Sequence, residues 1–110
     1  MTELDEIEYN ALLFDFYGSM LTSSQADVFR DHVLDDLTVS EIAQNRGVTR
    51  QAASDIIKRT KKILSGYEDK LHLVDRFLKI KEQVEKIDDV ARNMGIDEIT
   101  ALTDEILEEL

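Results

Sequence analysis

Apolar side chains recur along this chain at intervals of three and four residues almost from end to end, the spacing of one face of an α-helix. The first periodic segment runs from about Asp5 to Tyr17, with Tyr9, Leu12, Leu13, Phe16 and Tyr17 on the stripe and Gly18 placed as a C-terminal stop. Thr22-Ser23-Ser24-Gln25 has the spacing of a capping box and opens a second helix through Ala26, Phe29, Val33 and Leu34, ending near Asp35-Asp36. Thr38-Val39-Ser40-Glu41 is another capping box, opening a short third helix with Ile42 and Ala43 inward and Gly47 at its end. Thr49 then stands as N-cap of a fourth helix whose stripe is Ala53, Ile56, Ile57, Thr60, Ile63, Leu64 and Tyr67.

Ser65-Gly66 marks a break or kink, beyond which the helical pattern resumes to about Met94. Here Leu73, Phe77, Ile80, Val84, Ile87, Ala91 and Met94 alternate steps of four and three, the a/d seam of a coiled coil. A second stripe, Ile63, Tyr67, Leu71, Val74 and Leu78, occupies another face of the first half of this segment. After Gly95, residues Ile96, Ile99, Leu102, Ile106 and Leu110 predict a last amphipathic helix with acidic residues outside. The seam admits two partners: that last helix folded back, or a second copy of the chain. We favour the homodimer. The pattern therefore predicts an all-α bundle, with a domain over residues 1–66 holding a helix-turn-helix at 38–62, and a dimerisation segment over 67–110.

Composition supports the helical reading. The chain has no proline and four glycines in 110 residues, so few breaks are enforced. It has no cysteine, which excludes disulfides and thiolate chemistry and points to a cytoplasmic protein. The acidic start, Glu3-Leu4-Asp5-Glu6, is unlike a signal peptide, and no apolar run has the ~20 residues of a membrane span.

Charge changes the picture more. The net charge of −11 argues against a protein that coats nucleic acid indiscriminately. The average conceals a pattern: residues 1–45 carry one basic and ten acidic side chains, and residues 63–110 carry six and thirteen. Between them, Arg46, Arg50, Lys58, Arg59, Lys61 and Lys62 face only Asp55. The positive charge is thus confined to one short segment, which spans the end of the third helix and the first half of the fourth.

That segment meets the steric requirements of a helix-turn-helix position by position. Ile42 is apolar where the first helix packs, Ala43 is small where the helices cross, and Gly47 stands where the turn demands positive φ. Val48 is expected to fill the corner, with Ala53 and Ile56 facing back from the second helix. On the opposite face Arg50, Gln51 and Ser54 occupy the early turns that a recognition helix presents to base edges, while Lys58, Arg59, Lys61 and Lys62 suit phosphates. Thr49 leaves backbone N–H groups at the helix N-terminus for a phosphate oxygen. The same cluster also reads as a solvated helix face, and helix-turn-helix units serve as protein-interaction modules as well.

The runs Leu37-Thr38-Val39-Ser40-Glu41-Ile42-Ala43, Gly47-Val48-Thr49-Arg50-Gln51-Ala52 and Asp55-Ile56-Ile57-Lys58-Arg59-Thr60 resemble the YlxM family of small bacterial proteins. Asn10-Ala11-Leu12-Leu13-Phe14-Asp15-Phe16-Tyr17-Gly18 and Tyr67-Glu68-Asp69-Lys70-Leu71-His72 fit it too, over roughly residues 8–80. Ala53 and Ser54 depart from it, standing where a larger apolar residue and a tyrosine are expected. The resemblance implies a fold similar to the promoter-reading, C-terminal helix-turn-helix domain of bacterial sigma factors. It also implies a regulator of, or accessory to, the signal recognition particle pathway, with double-stranded DNA, or the particle's protein or RNA, as partner.

Other chemistry is thinly represented. His32 and Asp36, four apart, form too small a ligand set for a closed metal site, and His72 is isolated. Asp35-Asp36 and Asp88-Asp89 lack the alternating ligands and central glycine of a calcium loop. There is no phosphate loop or nucleophile elbow, and the aromatic residues fall at core spacing, so neither an enzyme nor a cofactor is expected.

Overall fold

The computed structural model describes residues 4–110, and among them there are six α-helices, one 3-10 turn and no strand. The helices are α1 (Glu6–Tyr17), α2 (Ser23–Val33), α3 (Val39–Arg46), α4 (Arg50–Leu71), α5 (Leu73–Met94) and α6 (Asp97–Glu109), with the 3-10 turn at Gly18–Met20. The fold class is all-α, as the periodicity predicts. The helices form two compact units, one ending at His72 and one running Leu73–Leu110.

In the first unit each helix start is set by a local signal. The Asp5 side chain accepts from Glu8 N–H at 2.8 Å. Thr22 and Gln25 close one capping box, and Thr38 and Glu41 a second, each with both reciprocal bonds formed. Thr49 Oγ1 accepts from Ala52 N–H at 3.1 Å. The core collects Leu13 and Tyr17 from α1, Val28, Phe29 and Val33 from α2, Ile42 and Ala43 from α3, and Ala53, Thr60 and Leu64 from α4. Gly18 ends α1 in ordinary right-handed geometry. What it provides is room, because a Cβ there would meet the Phe14 ring at 3.2 Å.

The long helical stretch is interrupted elsewhere than the sequence suggests. Helix α4 runs through Ser65 and Gly66 without a break, and it stops at His72, which takes the left-handed conformation at φ 57°. A mid-helix glycine costs about 1 kcal/mol relative to alanine, and the buried Leu64 and Glu68 on either side hold the helix through it. The unit boundary accordingly lies after His72 rather than after Gly66.

In α6 no basic side chain is present, and the α5–α6 hairpin turns on Gly95, at φ 69°. Ile96 N–H returns to the Ala91 carbonyl at 2.9 Å. A polar clamp joins the two helices. Thr103 Oγ1 donates to Asp88 Oδ1 at 2.6 Å, Arg92 Nε donates to Asp88 Oδ2 at 2.8 Å, and Arg92 Nη2 reaches both Asp104 oxygens at 2.9 Å. Hydrogen bonds from Arg92 and then Thr103 hold the Asp88 carboxyl below its ordinary pKa, and the two carboxylates raise that of Arg92. The predicted seam divides: Val84 and Ala91 are buried, whereas Ile80, Ile87 and Met94 stay exposed.

Candidate nucleic-acid interface

The helix-turn-helix is built by α3, a turn and α4. Gly47 sits at φ 66°, ψ 32°, in the left-handed region that only glycine enters at little cost. Its N–H bonds the Gln44 carbonyl at 3.3 Å, and Val48 N–H bonds the Ala43 carbonyl at 3.0 Å, the paired bonds of a Schellman motif. The chain leaves α3 with its last carbonyls satisfied and enters α4 two residues later at the Thr49 cap. Ile42, Ala43 and Ala53 form one buried cluster with Val28, and Leu37, Val39, Ile56 and Ile57 pack against it. Ala53 has no exposed surface. The smaller side chain is accommodated in a closed contact. Val48 does not fill the corner: it is 40% exposed, since the Schellman turn carries it outward.

The burial of Ala53, Thr60 and Leu64 fixes which side of α4 meets solvent. Gln51, Asp55, Lys58 and Lys62, at steps of four, three and four, form an exposed row, with Arg59 exposed beside it. Arg50 is exposed at the first helical position, and Ser54 is half-buried at the edge of the row. Among the described residues Arg50, Lys58, Arg59 and Lys62 have no ion-pair partner. Thr49 spends an acceptor lone pair on its cap, and its O–H remains able to donate. The N–H groups of Arg50 and Gln51 precede the first intrahelical bond of α4 and point out of its N-terminus.

Three members of the basic segment or its neighbours are already engaged. Gln51 Nε2 donates to Asp55 Oδ1 at 3.0 Å, which leaves the Gln51 carbonyl oxygen and one amide hydrogen for a base edge. Lys61 is half-buried and bonds Glu6 at 2.5 Å, tying α4 to the start of α1. That hydrogen bond, with the Lys61 charge behind it, holds the Glu6 carboxyl below its ordinary pKa. Arg46 pairs with Asp31 at 3.0 Å and braces α3 against α2. The structure thus gathers Thr49, Arg50, Gln51, Ser54, Lys58, Arg59 and Lys62 around one end and one face of α4, and sets Lys61 apart.

Behind this face lie two features that sequence spacing does not reveal. Tyr17 Oη donates to Glu68 Oε1 at 2.5 Å inside the core, across a separation of 51 residues. The Tyr17 ring also stacks on Tyr67 with centroids 5.9 Å apart. Together these lock α1 against α4 and fix the angle at which the exposed row is presented. Arg30, the one basic residue among residues 1–45, lies 5.4 Å over the Phe14 ring and pairs with Asp27.

His32 Nδ1 lies 3.1 Å from the Leu37 carbonyl, and Asp36 falls beyond the end of α2 in left-handed geometry, so the two do not share a helix face. Among the described residues no group of three or more His, Cys, Asp or Glu side chains could hold a metal ion. No described helix is long and apolar enough to cross a membrane.

Residues 4–104 match the family described as "Putative helix-turn-helix protein, YlxM / p13 like". The chain is similar to UPF0122 protein YlxM of Bacillus subtilis (strain 168), at 46% identity over 99 residues, or 89% of each chain. It is 45% identical over 87 residues to a UPF0122 protein of Limosilactobacillus fermentum, covering 79% of this chain and 77% of that one. A more distant relative from Caldanaerobacter subterraneus is 36% identical over 83 residues, 76% of this chain and 71% of its own. The family match takes in both capping boxes, the Gly47 turn, α5 and the part of α6 up to Asp104, and the chain belongs to the YlxM/p13-like family of helix-turn-helix proteins.

Proposed function

We propose that this protein is a cytoplasmic, non-enzymatic DNA-binding regulator that lays the N-terminal half of α4 in the major groove of double-stranded DNA. The observation that carries the reading is the presentation of Gln51, Lys58, Arg59 and Lys62 on the side of α4 away from the buried Ala53 and Thr60, with Arg50 exposed at the first helical position and Ser54 half-buried at the edge, by a turn whose geometry Gly47 alone makes cheap. Arg50 and Gln51 are the base readers, since bidentate contacts of Arg to guanine and of Gln to adenine need side chains in the first turn. Lys58, Arg59 and Lys62 take phosphates, and Thr49 with the α4 N-terminus takes another. The C-terminal hairpin is the dimerisation segment, which doubles these contacts.

Anisotropy titrations against genomic fragments, repeated across salt concentrations, test this. Arg50→Ala and Gln51→Ala should lose discrimination between sequences, each by roughly 1–3 kcal/mol per base pair read. Lys58→Ala and Lys62→Ala should weaken binding to every sequence and reduce the salt slope by about one each. Affinity indifferent to all four changes would remove the proposal.

One observation favours a second reading, an accessory factor of the signal recognition particle that contacts a protein. Outside residues 46–62 the chain is strongly acidic, and α6 is acidic throughout its polar face. Such a surface suits a basic partner. Binding to the particle's protein that survives Arg50→Ala and Lys58→Ala, without any shift of DNA, would select this reading over the first.

A further inference from the structure

The α5–α6 hairpin has two unlike sides. One carries the Asp88–Thr103–Arg92–Asp104 clamp. On the other, Ile80, Ile87, Val90 and Met94 of α5 are each at least half exposed. Ile99, Leu102 and Ile106 of α6 continue the same apolar surface, with Leu102 59% exposed. Between the helices lies a groove of about 280 Å³, lined by Ile87, Val90, Ala91, Met94, Ile96 and Ile99, together with Gln83 and Lys86. That is just under the ~300 Å³ at which pockets for small ligands begin, and it is open along its length, a shape for inserted side chains rather than an enclosed molecule. Seven large apolar side chains left exposed on one side of a two-helix hairpin mark a surface for interaction.

The polar rims of this side identify its occupant. On α5 the rim holds Arg76, Lys79, Gln83 and Lys86, while the acidic residues Asp75, Glu82, Glu85 and Asp89 lie farther round the helix. On α6 the rim is Glu98, Glu105 and Glu109, with no basic residue anywhere in the helix. Lys86 lies nine residues before the Gly95 turn and Glu105 ten residues after it, so the two stand at nearly the same level on opposite edges of the hairpin. A surface with one basic and one acidic edge is complementary to itself after a two-fold rotation. Lys79 and Lys86 have intrahelical partners, Asp75 and Glu82, but those pairs are solvent-exposed and compete weakly.

We infer that the apolar side of the α5–α6 hairpin docks on the same side of a second copy of this chain, α5 of each copy lying along α6 of the other in a four-helix bundle. The inference gives a surface and a register to the dimerisation segment of the proposed function, and it does not depend on DNA binding. It also differs from the heptad seam as read from sequence, because the buried Val84 takes no part, Ala91 only floors the groove, and Val90, Leu102 and Ile106 contribute.

Sedimentation equilibrium of the full chain without nucleic acid is the test, with circular dichroism as the check on folding. The wild type should have the dimer mass at micromolar concentration. Lys86→Glu should weaken association on the order of 10-fold, because each dimer meets the reversed charge twice. Adding Glu105→Lys to that variant should restore it, since the facing pair is then exchanged and again complementary. Ile87→Glu and Leu102→Glu, both at exposed positions, should give folded monomers. A monomeric wild type, a dimer untouched by Ile87→Glu and Leu102→Glu, or an exchange of Lys86 and Glu105 that fails to restore association would each overturn the inference. Because the measurement holds no DNA, a failure here is distinct from a failure of the α4 reading.

Discussion

Alanine placed at Gly47 and at Gly66 should move stability in opposite directions. Both changes add one Cβ, and at both positions that Cβ would meet nothing within 4 Å, so steric crowding drops out of the comparison. Gly47 is held at φ 66° by the two Schellman hydrogen bonds. A non-glycine residue in that region costs about 1–2 kcal/mol, offset in part by ~0.4–1 kcal/mol from the lost freedom of the unfolded chain. The net expected loss is about 1 kcal/mol. Gly66 has the right-handed conformation inside α4, where alanine is favoured by ~0.8–1 kcal/mol. The two variants should therefore differ by about 2 kcal/mol, or roughly 10 °C in Tm for a unit of this size. Thermal and urea unfolding followed by far-UV circular dichroism measure it. Asparagine at Gly47, which tolerates the left-handed region, should fall between alanine and wild type. A neutral Gly47→Ala would mean that the turn relaxes out of the left-handed region, and a destabilising Gly66→Ala would mean that α4 is not continuous there. Either result refutes the account of α4.

Three further outcomes are expected. Tyr17→Phe keeps the stack on Tyr67 but removes a buried hydroxyl–carboxylate bond, and should cost about 2 kcal/mol in urea unfolding; a loss under about 0.5 kcal/mol would show that the bond adds nothing net. Thr60 is fully buried and its hydroxyl has no partner among the described residues, so Thr60→Val should stabilise by ~1 kcal/mol. A lower melting temperature for that variant would contradict the assignment. The Asp88 carboxyl is held below its ordinary value of 3.8, so its clamp stabilises fully above that pH and loses its contribution as pH falls through the lower folded value. The Tm gap between wild type and Asp88→Asn should accordingly be constant near neutrality and shrink below about pH 4; a gap that widened on acidification would invert the sign.

Where a structural feature is set by residues three or four apart, the sequence displays it. Thr38 with Glu41, Gln44 with Gly47 and Thr49 with Ala52 are such features, and α3, the turn and the start of α4 are readable from them. Gly66 misleads because its propensity cost is local while the packing that outweighs it, through Leu64 and Glu68, is not. His72 misleads in the opposite sense, since a helix stop in left-handed geometry is ordinarily announced by glycine or asparagine. Pairings over long separations leave no periodic trace: Tyr17 with Glu68, and Lys61 with Glu6, which removes one lysine from the exposed row. The seam is legible as seven residues, but only the position of α6 decides that Val84 and Ala91 are spent inside the hairpin and Ile87 and Met94 are not.

The segregation of charge has a consequence for how the molecule meets a polyanion. Within the first unit, residues up to 45 carry an excess of nine acidic side chains while residues 46–62 carry an excess of five basic ones. Arg46 and Lys61 are paired with acidic residues of that stretch, while Arg50, Lys58, Arg59 and Lys62 stand exposed on α4. Under the proposed function, the field of a phosphate backbone, felt over a Debye length of about 8 Å at physiological salt, favours approach by these residues and disfavours the acidic remainder. The wrong faces are held off before contact, and the orientational search that slows most associations is shortened. Raising salt would thus blunt the accuracy of approach as well as the strength of attachment.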